Sequence, residues 1–347
     1  MYIKKIIVAI VLIGLVVAAF FANYVYSAMF KPNTAFNNES AYIYVATGAS
    51  YQDVREQLKP LLKDIDKFDA LAERKQYTTH IKAGKFRIAK DMNNNDIINS
   101  IRINNIPIQV AFNNQENIEK LAGRISTQIE ADSLELLTAM RDTLFLKDNT
   151  FNKATLLGMY IPNSYEFFWN TSGEEFRDRM LTEYKRFWNE TRLAKAKAIG
   201  LTQNEVITLA SIVHEESKAA DEQPRIAGVY LNRLKVGMPL QADPTLKFAA
   251  YQLPEYKNTI IKRVLNIHKA IESPYNTYLN GGLPPGPIAM ADLTAIKAVL
   301  NAEKHDYYYF AADAERIGYH RFAKNLSQHN ANARAYQSYL NRQGITH

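Results

Sequence analysis

An unbroken apolar run close to the N-terminus constrains this chain more than any other feature of its sequence. The run covers 6–22, and the first charged residue after it is Lys31. A helix needs about 17–25 such residues to cross a bilayer, so the run predicts a single transmembrane helix. Lys4 and Lys5 precede the run. Because basic residues favour the cytoplasmic side, the N-terminus is expected in the cytoplasm and the rest of the chain in the periplasm or outside the cell.

A cleaved signal peptide is the alternative interpretation of the same run. The apolar core of a signal peptide has about 7–15 residues and precedes a small-x-small cleavage site. The run in this chain is longer, and 25–28 would make a poor cleavage site. The expected organisation is therefore a cytoplasmic tail at 1–5, an uncleaved anchor at 6–26 and a polar linker at 27–40.

Composition narrows the chemistry that the remaining chain can perform. The chain has no cysteine, which excludes disulfides, thiol nucleophiles and cysteine-based zinc sites. Its formal charge is +7, from 42 lysines and arginines against 35 acidic residues. No nucleic-acid-binding motif accompanies this charge, so no nucleic-acid partner is expected. A basic protein outside the membrane suits an anionic partner such as cell wall or lipid headgroups, although a solvated surface explains the charge equally well.

A capping box marks the start of the helix that carries the candidate catalytic group. Thr202 precedes Glu205 by three residues, as the box requires. An apolar stripe at helical spacing follows, made of Val206, Leu209, Ala210 and Val213. This spacing predicts an amphipathic helix that packs one side into the core.

Two consecutive glutamates near the end of this helix are predicted to differ in their surroundings. At about 100° per residue, Glu215 falls opposite the stripe, beside Thr208 and Ser211. Glu216 falls at the edge of the stripe, against apolar side chains. Burial disfavours the charged form and raises the pKa, as a general acid near neutral pH requires. A helix-end glutamate that only pairs with a lysine is the structural alternative.

Residues 210–245 resemble the signature of the YceG-like family of endolytic murein transglycosylases. The family's helix reads approximately ASIVEKE, and the blocks NRL, GM, LQ and DPT follow it. The matching positions here are 210–213, Glu216, 232–234, 237–238, 240–241 and 243–245. His214 and Glu215 stand where the family usually has Glu and Lys. Only Glu216 therefore keeps the position of the family's catalytic glutamate.

Further blocks resemble the same family in the same order along the chain. The family's SPYNTY, GLPPGPI and YxYF…GxHxF blocks match 273–278, 282–288 and 307–323. A looser match to LEGFLFPDTY covers 156–165, with Leu157 in place of Glu and Asn163 in place of Asp. Those replacements favour a wall of the cleft over acid–base chemistry. The resemblance is strong from 209 to 329 and loose before 156.

The region before 107 resembles a LysM-like subdomain. Its pattern predicts a strand at 42–45, a helix that Ser50 caps and that ends at Leu58, further helices at 68–74 and 95–103, and a strand at 84–88. Residues 82–88 are similar to the family's AGxYxL pattern. LysM modules bind N-acetylglucosamine chains, so the resemblance implies glycan binding. A spacer with a small core of its own is the alternative.

The resemblance implies an α+β fold and a complete function. It implies a transmembrane helix, a LysM-like small α/β subdomain at 41–106, and a mixed α+β catalytic domain at 107–347. The catalytic domain would carry a cleft like that of lysozymes and transglycosylases. The implied activity is that of a lytic transglycosylase, a carbon–oxygen lyase that cuts within peptidoglycan strands between N-acetylmuramic acid and N-acetylglucosamine. It would leave 1,6-anhydro ends and limit the length of nascent strands, with cell-wall synthases as partners.

In the family's mechanism one glutamate, here Glu216, serves first as acid and then as base, with no metal or cofactor. The residues expected to hold the sugars are Ser211, Asn232, Gln241, Asp243, Thr245, Tyr275, Asn276, Thr277 and His320. Asp243 also fits a purely structural role as the N-cap of a short helix that begins at Pro244. A structural histidine is likewise an alternative for His320.

Aromatic residues near the middle of the chain are candidates for stacking on sugar rings. These are Phe167, Phe168, Trp169 and Trp188. Aromatic side chains at such spacing more often belong to a hydrophobic core.

Rival chemistries make different demands on the same residues. A zinc protease of the His-Glu-x-x-His type fails because Lys218 occupies the second histidine position. A two-carboxylate hydrolase remains open, with Glu216 as acid and Asp243 as nucleophile or base. A carboxyl separation of about 5 Å or 6.5–9.5 Å would favour hydrolysis, and a lone carboxylate would favour lyase chemistry. A non-catalytic wall-binding or assembly protein is the third class.

Overall fold

The computed structural model describes residues 2–256, 259–261 and 263–343. The described chain is a mixed α+β protein with an N-terminal apolar helix and small two-stranded sheets. It divides into two compact units. The first unit contains residues up to 110 together with the segments 128–131 and 165–172, and the second contains the remaining residues.

The helices and strands are labelled in chain order. The helices are α1 (Tyr2–Phe30), α2 (Tyr51–Leu58), α3 (Ile65–Arg74), α4 (Asn94–Ile103), α5 (Ile118–Ser126), α6 (Ser133–Met140), α7 (Thr143–Asp148), α8 (Gly173–Phe187), α9 (Glu190–Ala198), α10 (Gln203–Glu216), α11 (Gln223–Lys235), α12 (Asp243–Tyr251), α13 (Asn266–Lys269), α14 (Leu293–Leu300) and α15 (Leu326–Arg342). The strands are β1 (Ser40–Val45), β2 (Gly84–Ala89), β3 (Pro107–Phe112), β4 (Asn163–Phe168), β5 (Tyr309–Ala312) and β6 (His320–Ala323).

Helix α1 is long and apolar enough to cross a membrane, with a mean hydropathy of 2.8 over its most apolar window. It continues to Phe30, four residues beyond the predicted anchor. Its C-terminal part is attached to the first unit, because Ala28 is buried and its carbonyl accepts a hydrogen bond from Asn94 Nδ2 at 2.8 Å. Asn33 Nδ2 in turn donates to Asn94 Oδ1 at 2.7 Å. The segment predicted as a linker is thus partly packed and hydrogen bonded.

The first unit is built on the antiparallel pair β1–β2, in which Ser40 lies opposite Ala89 and Val45 opposite Gly84. The inward side chains of the sheet include Ile43 and Val45, which join the core with α2, α3 and α4. The predicted order of strand, two helices, strand and helix is observed. Helix α3 begins three residues earlier than predicted, because Asp64 accepts a hydrogen bond from the Lys67 amide and caps it.

Helix α10 is the central element of the second unit, where it packs against α11, α12 and α14. The predicted capping box is confirmed, since Thr202 and Glu205 bond reciprocally. The predicted solvated side of the helix is wrong for Thr208 and Ser211, which are both fully buried. Helices surround α10 on several sides, so its polar residues are enclosed as well as its apolar stripe.

Some predicted helix ends are wrong because local caps interrupt the pattern. The apolar pattern of the sequence predicts one helix over 133–143. In the structure this helix ends at Met140, and Asp142 caps the separate helix α7. The sequence also predicts a last helix that Ser327 caps and that stops at Gly344. The cap is instead Asn325, which accepts from the Gln328 amide, and Gly344 lies outside the described residues. The sequence predicts strands at 307–311 and 319–323 that form a hairpin, and the structure has this hairpin as the antiparallel pair β5–β6.

Candidate active site

Glu216 is the last residue of α10, and a tyrosine on the next helix holds its carboxylate. The hydroxyl of Tyr230, on α11, donates to Glu216 Oε1 at 2.6 Å. Glu215 lies on the exposed surface, where its carboxylate accepts from Lys218 Nζ at 3.2 Å. The two neighbouring glutamates therefore differ in environment as the sequence predicts, since Glu216 is half-buried and Glu215 is exposed.

The surroundings of Glu216 shift its protonation into the neutral range. The pKa of Glu216 is raised from 4.5 to about 7, and burial is the largest cause. The negative charge of Asp243 also raises this pKa, whereas the hydrogen bond from Tyr230 lowers it. Electrostatic interactions with His320 and Arg233 lower it as well. A carboxyl group with such a pKa is partly protonated at pH 7 and can donate a proton.

Arg233 brings a buried positive charge to the same region. Its side chain is 6% exposed and lies one helical turn after Tyr230 on α11. It donates to the carbonyls of Tyr308 and Leu240, both at 2.6 Å. Burial lowers the pKa of the guanidinium, although an arginine remains charged in proteins. This arginine connects α11 to the residue before β5 and to the loop before α12.

The sequence contained a signal for Tyr230 and Arg233 that the sequence analysis did not use. Ile226, Tyr230 and Arg233 recur at helical spacing and are all buried. A tyrosine on the buried face of a helix usually finds a partner for its hydroxyl, which makes it a candidate for contact with an enclosed carboxylate.

Asp243 is not the N-cap of α12, and that prediction is wrong. The N-cap position belongs to Ala242, and Asp243 already has the helical conformation of the first turn. Its carboxylate instead accepts a hydrogen bond from the Tyr278 hydroxyl at 2.7 Å. The backbone turns one residue earlier than expected, where Gln241 adopts a positive φ of 47°. The Asp243 side chain therefore does not cap the helix and can line a pocket.

Glu216 and Asp243 line the same pocket. Its volume is about 240 Å³. The lining residues are Glu215, Glu216, Asp243, Pro244, Lys247, Arg263 and Val264. Three carboxylates and two basic side chains in one small pocket can exchange protons with a ligand and hold its charged or hydroxyl groups.

Four of the predicted sugar-binding residues are enclosed and bonded inside the protein. Ser211, Thr245, Asn276 and Thr277 are each 0–1% exposed. Ser211 Oγ donates to the Thr208 carbonyl at 2.7 Å and accepts from the Ile288 amide at 3.0 Å. Thr277 Oγ1 accepts from the Ala242 amide at 3.0 Å. These contacts fix the loops around the pocket, and direct binding of sugars by these residues stays a prediction.

Other predicted binding residues lie in less buried positions. Asn232 Nδ2 donates to the carbonyls of His305 and Tyr307, at 2.7 and 3.0 Å. Gln241 is exposed, and the half-buried ring of Tyr275 lies 4.6 Å from that of Phe248. Burial raises the pKa of Tyr275, so its hydroxyl stays protonated. Their role in substrate binding also stays a prediction.

His320 is fixed by a carboxylate that the sequence analysis did not identify. Its Nδ1 lies 2.8 Å from Glu222 Oε2, and its amide donates to Glu222 Oε1 at 2.7 Å. The Glu222 side chain is only 4% exposed. Glu222 comes just before α11 and His320 begins β6, so this pair connects the helix to the hairpin. No motif in the sequence places Glu222 near His320, since 98 residues separate them.

The fold and the pocket define a class of protein. A half-buried carboxyl group with a pKa near neutrality, held by a hydroxyl donor in a pocket that a second carboxylate also lines, is typical of enzymes that use general acid–base catalysis. The chain belongs to the YceG-like family, whose family model matches residues 43–335.

Curated relatives of this chain carry the name endolytic murein transglycosylase. The Bacillus subtilis protein is 27% identical over 339 residues, which cover 90% of this chain and 89% of that protein. The Streptococcus pneumoniae serotype 2 protein is 28% identical over 327 residues, which cover 85% of this chain and 58% of that longer protein. The crystal structure of a YceG-like protein from Listeria monocytogenes is similar, with a TM-score of 0.56 and 25% identity, and covers 85% of this chain and 99% of that one.

Proposed function

We propose that this protein is a membrane-anchored endolytic lytic transglycosylase that cuts peptidoglycan glycan strands. The observation that carries the proposal is the position of Glu216 in a pocket, with a pKa raised to about 7. Membership of the YceG-like family and the names of the curated relatives support the substrate and the reaction. In this proposal Glu216 is the catalytic residue and Asp243 is its neighbour in the pocket.

The proposed reaction uses Glu216 twice. Protonated Glu216 donates its proton to the glycosidic oxygen between N-acetylmuramic acid and N-acetylglucosamine as the bond to C1 breaks. The resulting carboxylate then accepts the proton of the muramic 6-hydroxyl, whose oxygen forms the new bond to C1. Glu216 is thereby protonated again and no water is consumed. A pKa near neutrality suits a group that must donate and accept within one turnover.

The neighbouring residues are proposed to position this proton transfer. The Tyr230 hydroxyl stabilises the carboxylate form of Glu216 after its first step, because it donates to Oε1. The Asp243 carboxylate, oriented by Tyr278, supplies negative charge for the positive charge that develops at C1. The residues predicted to hold the sugars would form the walls of a cleft like that of lysozymes and transglycosylases.

The organisation of the whole chain is proposed on the same basis. Residues 41–106 would act as a LysM-like subdomain that binds glycan, and 107–347 as the catalytic domain. The anchor would cross the cytoplasmic membrane once, with the N-terminus inside, since Lys4 and Lys5 precede α1. Cutting within strands beside the membrane would limit the length of nascent strands that cell-wall synthases produce.

A two-carboxylate hydrolase is the second candidate, because Asp243 shares the pocket with Glu216. It would release reducing muramic ends, whereas the lyase releases 1,6-anhydro ends. Mass spectrometry of sacculi digested by the purified wild-type chain separates the two. We expect anhydro ends, and a product that carries only reducing ends would replace the lyase with the hydrolase.

A further inference from the structure

The outer face of the β1–β2 sheet carries an exposed set of aromatic and basic side chains. Ile43 and Val45 point into the core, so Tyr42 and Tyr44 project from the opposite face, where they are 48% and 41% exposed. Lys85, directly opposite Tyr44 in the sheet, places Nζ 4.6 Å from the Tyr42 ring centre and 5.5 Å from that of Tyr44. These residues form two neighbouring aromatic surfaces joined by a cation.

A third ring is brought to this face from a distant part of the chain. Trp169 lies edge-on to Tyr44, with ring centres 5.2 Å apart. The Glu130 amide donates to the Trp169 carbonyl at 2.8 Å. The Glu130 carboxylate accepts from the amide and the hydroxyl of Thr47, at 2.6 and 2.8 Å. The segments 128–131 and 165–172 thus belong to the first unit, and they hold Trp169 in place.

Both edges of the sheet are occupied beside these rings, so another strand cannot pair there. Gln57 bonds the amide and the carbonyl of Tyr44 through its side chain, at 2.9 and 2.8 Å. On the other edge, the Lys85 amide donates to Asn105 Oδ1 at 3.0 Å and its carbonyl accepts from Ile106 at 2.9 Å. Recognition at this face must therefore use side chains.

Charge indicates what kind of ligand the face suits. Arg87 is exposed beside Lys85 and donates to Ser40 Oγ at 2.6 Å. Among the described residues, neither Lys85 nor Arg87 has a carboxylate within salt-bridge distance. Exposed aromatic rings stack on the apolar faces of sugars, and free cations pair with carboxylates. The combination suits a glycan that carries carboxylate groups.

We propose that Tyr42, Tyr44, Trp169 and Lys85 form a binding site for carboxylate-bearing glycan strands, separate from the pocket of Glu216. This inference rests on the proposed function, because it assumes that murein strands are the ligand. An anionic lipid surface is the less suitable occupant. The end of α1 packs on α3 and α4, which lie on the helical side of the sheet, whereas the three rings lie on its other side.

The test measures binding by the full-length chain in neutral-lipid nanodiscs, with Glu216→Gln present so that strands are not cut. The probe is purified murein glycan strands. Replacing both tyrosines by alanine should weaken binding about tenfold or more, as expected for aromatic anchors. The double change to phenylalanine keeps both rings and should bind normally. Ile103→Ala removes another exposed apolar side chain from the same unit and should change nothing.

The cation is tested separately by Lys85→Met. This variant should bind murein strands more weakly and with less dependence on salt, while its binding of uncharged N-acetylglucosamine oligomers should not change. Three results would overturn the inference. The alanine variant could bind murein strands as tightly as the chain with both tyrosines, or the phenylalanine variant could lose as much binding as the alanine variant. The tyrosines could also be needed for binding to anionic vesicles and not to strands.

Cleavage by the wild-type chain is measured in parallel. Strand binding that depends on the tyrosines, without anhydro products, would reject the proposed function and keep the site. If the wild type releases anhydro products but strand binding does not depend on the tyrosines, the proposed binding site is rejected and the proposed function is kept.

Discussion

The pKa of Glu216 results from opposing influences on several elements. Burial between α10 and its neighbours raises it, and Asp243 on α12 raises it further. Tyr230 on α11 and His320 on β6 lower it. Because the raising and lowering groups are different residues, each can be removed alone, and the two kinds of substitution should move the pH profile in opposite directions.

Tyr230→Phe removes the hydrogen bond that stabilises the ionised carboxylate, so the pKa of Glu216 should rise. Asp243→Asn removes a negative charge, so the pKa should fall. If protonated Glu216 is the acid, the alkaline limb of kcat/KM against pH follows this pKa, and shifts of about one unit upward and downward are expected. Shifts of both variants in the same direction would contradict this account of the site.

The same burial predicts a pH-dependent effect on stability. The folded-state pKa of Glu216 is raised, so ionisation opposes folding, and the cost grows as the pH rises from about 4.5 to about 7. Glu216→Gln never ionises. Its thermal midpoint should exceed that of the wild type by about 2–4 °C at pH 8, with a smaller difference at pH 5. A difference that is larger at pH 5 would show that the ionised form is not disfavoured.

At the level of single residues, helical spacing identified Glu216 but not the residues of other elements that surround it. It placed Glu216 at the edge of the apolar stripe of α10, because the spacing within one helix can be followed in the local sequence. Tyr230, Glu222 and Asp243 act through contacts between elements that lie far apart in sequence. Local pattern carries no information on such distances, so the Asp243–Tyr278 bond and the Glu222–His320 pair became visible only in the folded structure.

At the scale of elements, the attachment of α1 depends on one buried amide. Asn94 donates to the Ala28 carbonyl and accepts from Asn33 Nδ2. Asn94→Ala removes the hydrogen bond to the Ala28 carbonyl and one of the two that Asn33 Nδ2 makes, the other being to the Asp64 carbonyl. Unfolding in detergent should therefore require about 1–3 kcal/mol less free energy. Asn99→Ala, on the exposed side of the same helix, should cost under about 0.5 kcal/mol. Equal losses in the two variants would show that Asn94 has no special role.

The sequence predicts a helix well where an N-terminal capping residue precedes an apolar stripe at helical spacing. It predicts the C-terminal ends of these helices less well. The capping boxes of α2 and α10 give clear starts. The apolar pattern between 133 and 143 continues past Met140, although Asp142 interrupts it with a new cap. Such local competition between helix continuation and capping is decided by packing, which a single sequence does not contain.

At the scale of the whole molecule, the anchor has a direct consequence. Helix α1 continues to Phe30, and its residue Ala28 is buried in the first unit. The protein should therefore stay in the membrane fraction with its full N-terminus, as fractionation and mass spectrometry of the N-terminal peptide can measure. A soluble form that starts near Ala28 would instead identify 6–22 as a signal peptide.

The sequence predicts only part of the division of the chain into two units. A boundary near 106 follows from the end of the strand–helix pattern. The segments 128–131 and 165–172 belong to the first unit only through distant contacts such as Glu130 with Thr47. The two tryptophans also look alike in the sequence, since each belongs to an aromatic cluster. Only the folded structure shows that Trp188 is buried in the core and that Trp169 is not.

In the proposed mechanism Glu216 alone donates and accepts the proton, whereas Asp243 contributes only charge. The most direct test is mass spectrometry of sacculi digested by the wild type and by Glu216→Gln and Glu215→Gln. We expect 1,6-anhydro ends from the wild type and from Glu215→Gln. For Glu216→Gln we expect a loss of about 10²–10⁴-fold or more, because an acid–base group is removed. Full activity of Glu216→Gln, or reducing muramic ends from the wild type, would contradict the proposed mechanism.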